Sequence, residues 1–293
     1  MALNDLLKIA IENEWQKQKS DFVKIKQASP VSGGDICDSY RLETTNGVFF
    51  LKTGKVNAPK DLFEKEFNGL ELLTEAKAIS IPQPLFYGNA GTQGFLVMEF
   101  IQRSPVQINF WESFAEKLAT LHQSSHTHFG LREDNYIGIL PQQNNIVDNW
   151  PDFYAFQRLE PLIKQCADSR SLSPENIRQS EKLYKRLPEI FPVEKPSLIH
   201  GDLWGGNYLP GTHGMPFVFD PAAYFGNREM DLAMTRLFGG FDRKFYWHYH
   251  TIFPLAPGWE ERVEICQLYY LLVHAVLFGG GYLQQVRKIL TAF

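Results

Sequence analysis

The octapeptide "HGDLWGGN", residues His200–Asn207, stands between "KPSLI" (195–199) and "YLPGTHGMPFVFDPAAYF" (208–225). Its glycines and Asn spell a turn, whereas "SLI" before it and "FVF" after it read as short buried strands. A polar loop held between buried strands is where chemistry concentrates, because the strands fix the ends and the loop presents the polar groups. Four residues separate Asp202 from Asn207, giving D-x-x-x-x-N, and thirteen positions after Asn207 the acid Asp220 closes "FVFD".

Protein kinases use this arrangement: one Asp accepts or orients the acceptor hydroxyl, while an Asn and a second Asp hold Mg²⁺. Moving a γ-phosphoryl group requires hard oxygen ligands against the phosphate charge and a carboxylate within reach of the attacking hydroxyl. Asp202 is therefore the expected catalytic residue, and Asn207 and Asp220 the expected metal residues, with ATP and Mg²⁺ as cofactors. An Asp-capped turn with a left-handed Asn would explain the octapeptide alone, but not the flanking strands and the later acid.

Such a site needs a lysine with a carboxylate partner. "GVFFLKT" puts Lys52 at the end of an apolar strand, where an unpaired cation would be costly. In the helix expected after Pro59, Leu62, Phe63, Phe67, Leu70 and Leu73 form the inward stripe. Glu66 falls within that stripe and Glu64 does not, so Glu66 is the expected partner of Lys52. Upstream, "SGGDICDSY" offers Gly33 and Gly34, followed by Asp35, between two strands. Glycines there allow backbone N–H groups to approach phosphates, although the stretch lacks G-x-G-x-x-G and reads equally as a plain hairpin turn. "LVMEFI" reads as a buried edge strand, and its Met98, Glu99, Phe100 and Ile101 fall where a hinge would lie. There the Glu99 carbonyl and Ile101 N–H would address the adenine edge.

Composition excludes several classes. The 293 residues carry a formal net charge of -4, with a pI near 6.1, so no basic field exists to hold nucleic acid or an anionic membrane. Cys37, Cys166 and Cys266 are widely spaced, without C-x-x-C, as expected of a reducing compartment. "MALNDLLKIAIENEW" is an amphipathic helix pattern carrying acids, neither a signal peptide nor a membrane span, and the cytoplasm is the expected location.

The first third of the chain reads as sheet with two helices, the N-terminal one and the one after Pro59, and an Asn46-Gly47 hairpin turn, and the remainder reads as mostly helical. This predicts an α+β fold of two lobes around a cleft. A small sheet-rich nucleotide-binding lobe spans 1–100, and a larger helical lobe for catalysis and acceptor binding spans 101–293. On the helix begun by "GNREMDLAM", Asp231 reads as a buried acid fixing the Asp202 loop, Arg228 as a partner of nearby acids, and Met230 and Met234 as core. His122, His126 and His128 have poor spacing for zinc. Trp204, two residues past Asp202 and before Gly205-Gly206, is expected in the acceptor site, its indole lying over a sugar ring.

"LIHGDLWGGN", "FDPAAYFGNREMDLAMTRLFGG", "EFNGLELL", "DNYIG" and "FGGGYLQQVRKIL" together resemble the fructosamine kinase (ketosamine-3-kinase) family, within the aminoglycoside-phosphotransferase branch of protein-kinase-like folds. The resemblance covers essentially the whole chain. It implies ATP-dependent phosphorylation of the sugar 3-hydroxyl of a small-molecule or protein-bound ketoamine, with ribulosamine, erythrulosamine and fructosamine as candidate sugars. Relatives with a regulatory cysteine carry it directly after the loop glycines, where this chain has Asp35, and many relatives have Asn in place of Val276. A kinase for aminoglycosides or choline is the first alternative, and a non-catalytic pseudokinase module the second. Against a polycationic acceptor, the segment from Leu237 onward has four acids (Asp242, Glu260, Glu261, Glu264) and five bases (Arg243, Lys244, Arg262, Arg287, Lys288), and is rich in aromatics.

Overall fold

The computed structural model describes residues 3–31, 37–54 and 58–293. Helix α1 (Asp5–Lys19) starts at Asn4, whose side chain accepts the Leu7 N–H at 2.8 Å. Leu7, Ile11 and Trp15 recur every four residues and are buried on one face. That face covers a five-stranded antiparallel sheet of β1 (Ile25–Pro30), β2 (Asp38–Thr44), β3 (Gly47–Thr53), β4 (Pro84–Ala90) and β5 (Gln93–Glu99), in the order β1-β2-β3-β5-β4. Leu42, Leu51, Phe86, Phe95 and Val97 supply the sheet's share of this core. Helix α2 (Leu62–Glu75) lies on the opposite face, where Phe63 and Leu70 pack against Leu96 and Met98.

Two expectations need correction. The strand "LVMEFI" is internal, paired with β3 on one side and β4 on the other. Its run of buried residues reports covering on both faces, by α1 and α2, and says nothing about edge position. The β2–β3 turn is Thr45-Asn46, and Gly47 already pairs with Thr44. The Thr44 hydroxyl fixes that register by accepting the Asn46 N–H and donating to the Gly47 carbonyl, both at 3.0 Å.

The larger lobe begins with α3 (Phe110–Gln123), followed by a small hairpin of β6 (Asn135–Ile137) and β7 (Leu140–Gln142). Next come α4 (Trp150–Phe153), a π-helical turn (Tyr154–Leu159), α5 (Glu160–Asp168) and α6 (Pro174–Ile190). Four short strands then form two ribbons. β8 (Ser197–Ile199) pairs with β11 (Tyr224–Gly226), and β9 (Tyr208–Pro210) pairs with β10 (Pro216–Val218). Helices α7 (Glu229–Leu237), α8 (Arg243–Ile252), α9 (Trp259–Phe278) and α10 (Gly281–Leu290) complete the chain. No helix among the described residues is long and apolar enough to cross a membrane.

The nested pairing decides where the chemistry lies. The loop after β8 and the loop before β11 leave neighbouring strand ends, so residues 200–207 and 219–223 lie side by side. They are joined by Phe219 N–H to the Asn207 carbonyl at 3.1 Å and Ala222 N–H to the His200 carbonyl at 2.9 Å. Behind them α7 is fastened to α9 by a bidentate pair, with Arg262 Nε and Nη2 lying 2.7 and 2.6 Å from the two Glu229 oxygens. Glu229 and Arg262 are 2% and 6% exposed, so removing either partner leaves a buried charge. Arg262→Met should therefore lower unfolding free energy by about 3–5 kcal/mol. Denaturant titration measures this, and a variant within error of the parent would show the pair to be dispensable.

Candidate active site

Lys52, the penultimate residue of β3, is 7% exposed, and its ammonium lies 2.7 Å from both Glu66 Oε1 and Asp220 Oδ1. Burial works against the charged amine, but the Asp220 and Glu66 carboxylates outweigh it and raise its pKa above the ordinary lysine value. Burial raises the Glu66 pKa despite the pull of Lys52. The predicted pairing of Lys52 with Glu66 is present, and Asp220 joins it from the other lobe. Asp220 holds a left-handed backbone at φ 57, which Asp tolerates better than most residues and which turns the chain out of β10.

Asp202 is half-buried beside this triad. Both amide hydrogens of Asn207 go to it, one to its carbonyl at 2.9 Å and one to Oδ2 at 3.1 Å. Burial and the neighbouring Asp220 push the Asp202 carboxyl up to about 7, with Asn207 opposing. The loop itself is built on Asp231. Its carboxylate is fully buried and accepts the His200 N–H at 2.7 Å and the Gly201 N–H at 2.8 Å. Gly201 has φ +82, and a Cβ there would lie 2.1 Å from the Ala222 carbonyl, so no other residue fits.

His200, not singled out from sequence, is a cross-brace. Its Nδ1 accepts the Asp202 N–H at 3.3 Å and its Nε2 donates to the Phe219 carbonyl at 3.0 Å, which fixes one neutral tautomer. Burial lowers its pKa and supports that state. The three histidines whose spacing is poor for zinc have different surroundings: His122 is buried between Tyr249 (2.7 Å) and Asp231 (3.2 Å), whereas His126 is exposed. Arg228 pairs with Glu194 at 2.8 Å, and Met230 and Met234 are core, as read from the sequence.

A cleft of about 270 Å³ opens on these groups. Lys52, Glu66, Asp202, Asn207 and Asp220 line it, and so does Trp204, 37% exposed with its ring edge on Phe238 at 5.8 Å. Gly206 allows this placement, since a Cβ there would lie 2.3 Å from the indole. Met98, Glu99, Phe100 and Ile101, expected from the sequence to form a hinge, do not line this cleft. Met98 is core, Glu99 bonds Gln83, and Phe100 lies under Arg41. Gly33, Gly34 and Asp35 fall outside the described residues.

Two further supports were not legible in the sequence. Glu133 accepts from Lys65 at 2.7 Å and Asn68 at 2.8 Å, and the Tyr136 hydroxyl donates to Asp61 at 2.8 Å, which ties α2 to the β6–β7 hairpin. Asn135 and Gln142 donate to the Ala223 and Ala222 carbonyls at 2.9 and 3.1 Å and hold the segment after Asp220. Only the "DNYIG" stretch hinted at either. Asp231→Asn replaces an acceptor facing a buried N–H with an NH₂ group. It should cost about 1–3 kcal/mol and loosen the Asp202 loop. Calorimetric melting together with hydrogen exchange at Gly201 measures both, and unchanged protection at Gly201 would refute the role assigned to Asp231.

The fructosamine kinase family model matches residues 7–293. A "probable ketoamine kinase" of Enterococcus faecium is 39% identical over 270 residues, covering 90% of this chain and 94% of that protein. The chloroplastic protein-ribulosamine 3-kinase of Arabidopsis thaliana is 34% identical over 285 residues, covering 96% of this chain and 86% of that protein. A crystal structure from Haemophilus somnus, provisionally named fructosamine-3-kinase, has a TM-score of 0.87 at 28% identity, covering 97% and 96% of the two chains. Aminoglycoside phosphotransferase APH(4)-Ia shares the fold alone, with a TM-score of 0.64 at 15% identity and 96% and 97% coverage. The likeness spans both lobes and the loops between the paired ribbons, and the chain belongs to the fructosamine kinase family.

Proposed function

We propose that this protein is an ATP-dependent ketoamine 3-kinase, moving the γ-phosphoryl group of ATP to the sugar 3-hydroxyl of a ribulosamine, erythrulosamine or fructosamine. One observation carries the reading: Lys52, Asp202, Asp220 and Trp204 open onto a single cleft between the lobes. The sheet lobe, residues 1–100, serves the nucleotide, with Gly33, Gly34 and Asp35 as further contacts and the Met98–Ile101 backbone, outside the described cleft lining, taking the adenine edge. Residues 101–293 serve catalysis and the acceptor.

Each residue's part follows from its placement. The Lys52 ammonium, charged and held by Glu66, orients the α- and β-phosphates. Asp202 lies beside the phosphate-facing group Asp220 and is held by Asn207, so its carboxylate orients the acceptor hydroxyl and takes up its proton. The Trp204 indole offers a flat apolar face to sugar C–H groups. The Asn207 amide and Asp220 carboxylate are hard oxygen donors of the kind Mg²⁺ selects. Among the described residues no three His, Cys, Asp or Glu gather as a metal cage, which suits a metal completed by phosphate and water oxygens. When bound, Mg²⁺ neutralises charge on the phosphates. Two buried cysteines, Cys166 and Cys266, and the like-named bacterial relatives support a cytoplasmic location.

With ATP, Mg²⁺ and a panel of ribulosamine, fructosamine and aminoglycoside acceptors, ADP release should follow the ketoamines. Asp202→Asn should lower kcat on the order of 10²-fold or more while nucleotide binding persists. Near-parental kcat in that variant, or release driven only by aminoglycoside, would refute the assignment. In Asp220→Ala, ATP should bind no more tightly with Mg²⁺ than without it. A preserved Mg²⁺ advantage in calorimetric titration would place the metal elsewhere.

A further inference from the structure

We propose that the aromatic side chains beyond Trp204 form a subsite for the amine carrier of the ketoamine, and that the enzyme selects carriers that are apolar next to the nitrogen over carriers bearing a carboxylate there. This rests on the ketoamine-kinase reading and deepens it.

The described cleft lining is polarised. Lys52 is paired with Glu66 and Asp220, whereas Trp204 and the α9 residues Val273, His274, Leu277 and Phe278 contribute no formal charge apart from a titratable imidazole. The rings form a connected set. Phe238 touches Trp204 edge-on at 5.8 Å and His274 at 4.9 Å, and His274 in turn meets Phe278 at 5.7 Å and Tyr282 at 5.0 Å. The set is anchored from both sides. His274 Nδ1 lies 2.8 Å from the Tyr270 carbonyl within α9, and the Phe238-Gly239-Gly240 turn is tied to the catalytic loop's end by the Tyr208 hydroxyl donating to the Gly240 carbonyl at 2.7 Å. Phe238 and Phe278 are nevertheless 41% and 51% exposed. Large rings held this rigidly, half in water and continuous with a catalytic cleft, gain most when a ligand covers them.

Substrate connectivity supplies the occupant. In a ketoamine only C2 and C1 separate the reacting C3 carbon from the nitrogen. With the C3 hydroxyl at Asp202 and the nucleotide on the Lys52 side, the nitrogen leaves past Trp204. The nitrogen is a secondary ammonium near neutral pH, and ring faces accept such a cation through their quadrupole. The atoms attached beyond it then meet Phe238 and Phe278. An apolar group there buries its surface against the rings. A carboxylate there would lose water and meet no Lys or Arg among the described lining residues Trp204, Val273, His274, Leu277 and Phe278.

The test uses three ketoamines of one sugar, ribulose, made with benzylamine, methylamine and glycine. It reads both kcat/KM and calorimetric affinity. The benzylamine adduct should exceed the glycine adduct by about 10-fold or more in each measure, a discrimination of ordinary size for one apolar group. Phe238→Ala and Phe278→Ala should each shrink that ratio. If Phe238→Ala proves misfolded by circular dichroism, the more exposed Phe278→Ala carries the comparison. A parental ratio near one or reversed, or an unchanged ratio in a folded variant, overturns the subsite even where every ketoamine is phosphorylated. Preferential binding of the benzylamine adduct without phosphorylation of any sugar would refute the kinase reading and leave the subsite standing.

Discussion

The Lys52 ammonium lies 2.7 Å from a carboxylate on each side, one carried by α2 and one by the loop before β11, and the rest of the molecule is arranged to keep it there. A cation this buried is stable only when paired, and here the partners come from different lobes. The contact therefore fixes the orientation of α2, the depth of the sheet over the larger lobe and the direction of Asp220 together. Two polar ties from the β6–β7 hairpin to α2, through Glu133 and Tyr136, hold the same arrangement from the outside. Burial raises the Tyr136 phenol, with the Asp61 carboxylate adding to it, to about 12, so the hydroxyl remains a donor across the physiological range.

Beneath the cleft, a second level of polar groups keeps the catalytic loop in shape. Asp231 accepts two backbone N–H groups and meets His122, while His200 links the Asp202 N–H to the Phe219 carbonyl. These groups are 0% or 1% exposed, and each bond replaces water that cannot reach them. Arg158 extends the pattern on the far side of β11. Fully buried, it stacks over Tyr224 at 3.9 Å and donates to Asn144, which in turn donates to Asn135 behind Ala223. An aromatic face thus takes part of the role a carboxylate would play. Asp231, His122 and Arg158 hold the loops from behind, whereas Asn135 and Asn207 hold them from within the cleft lining.

Much of this was legible from residue order. The D-x-x-x-x-N spacing, the acid closing "FVFD", the lysine near the end of an apolar strand and the glutamate inside a hydrophobic stripe are local patterns, and the residues they single out line one cleft. Asp231 was legible for the same reason, as an acid on an otherwise apolar helix. The errors were of another kind. A run of buried residues made β5 look like an edge when it is central, because burial by two helices and position in a sheet leave the same trace in sequence.

What the sequence determined by itself is the set of groups and their spacing, since hydrophobic period, turn residues and the demand of a buried charge for a partner act over short stretches. What only the tertiary structure decided is which groups meet. Lys52 and Asp220 are 168 positions apart, and the Asp220 contact appears only once β8 pairs with β11 and β9 with β10. The aromatics beyond Leu237 read from sequence only as a composition suited to stacking on sugars, yet Phe238 after α7, His274 and Phe278 on α9 and Tyr282 on α10 converge as one set of touching rings beside Trp204. Side-chain periodicity records whether a residue faces inward. It carries no record of which distant strand end or helix the chain brings to face it, because that is set by packing across the whole fold.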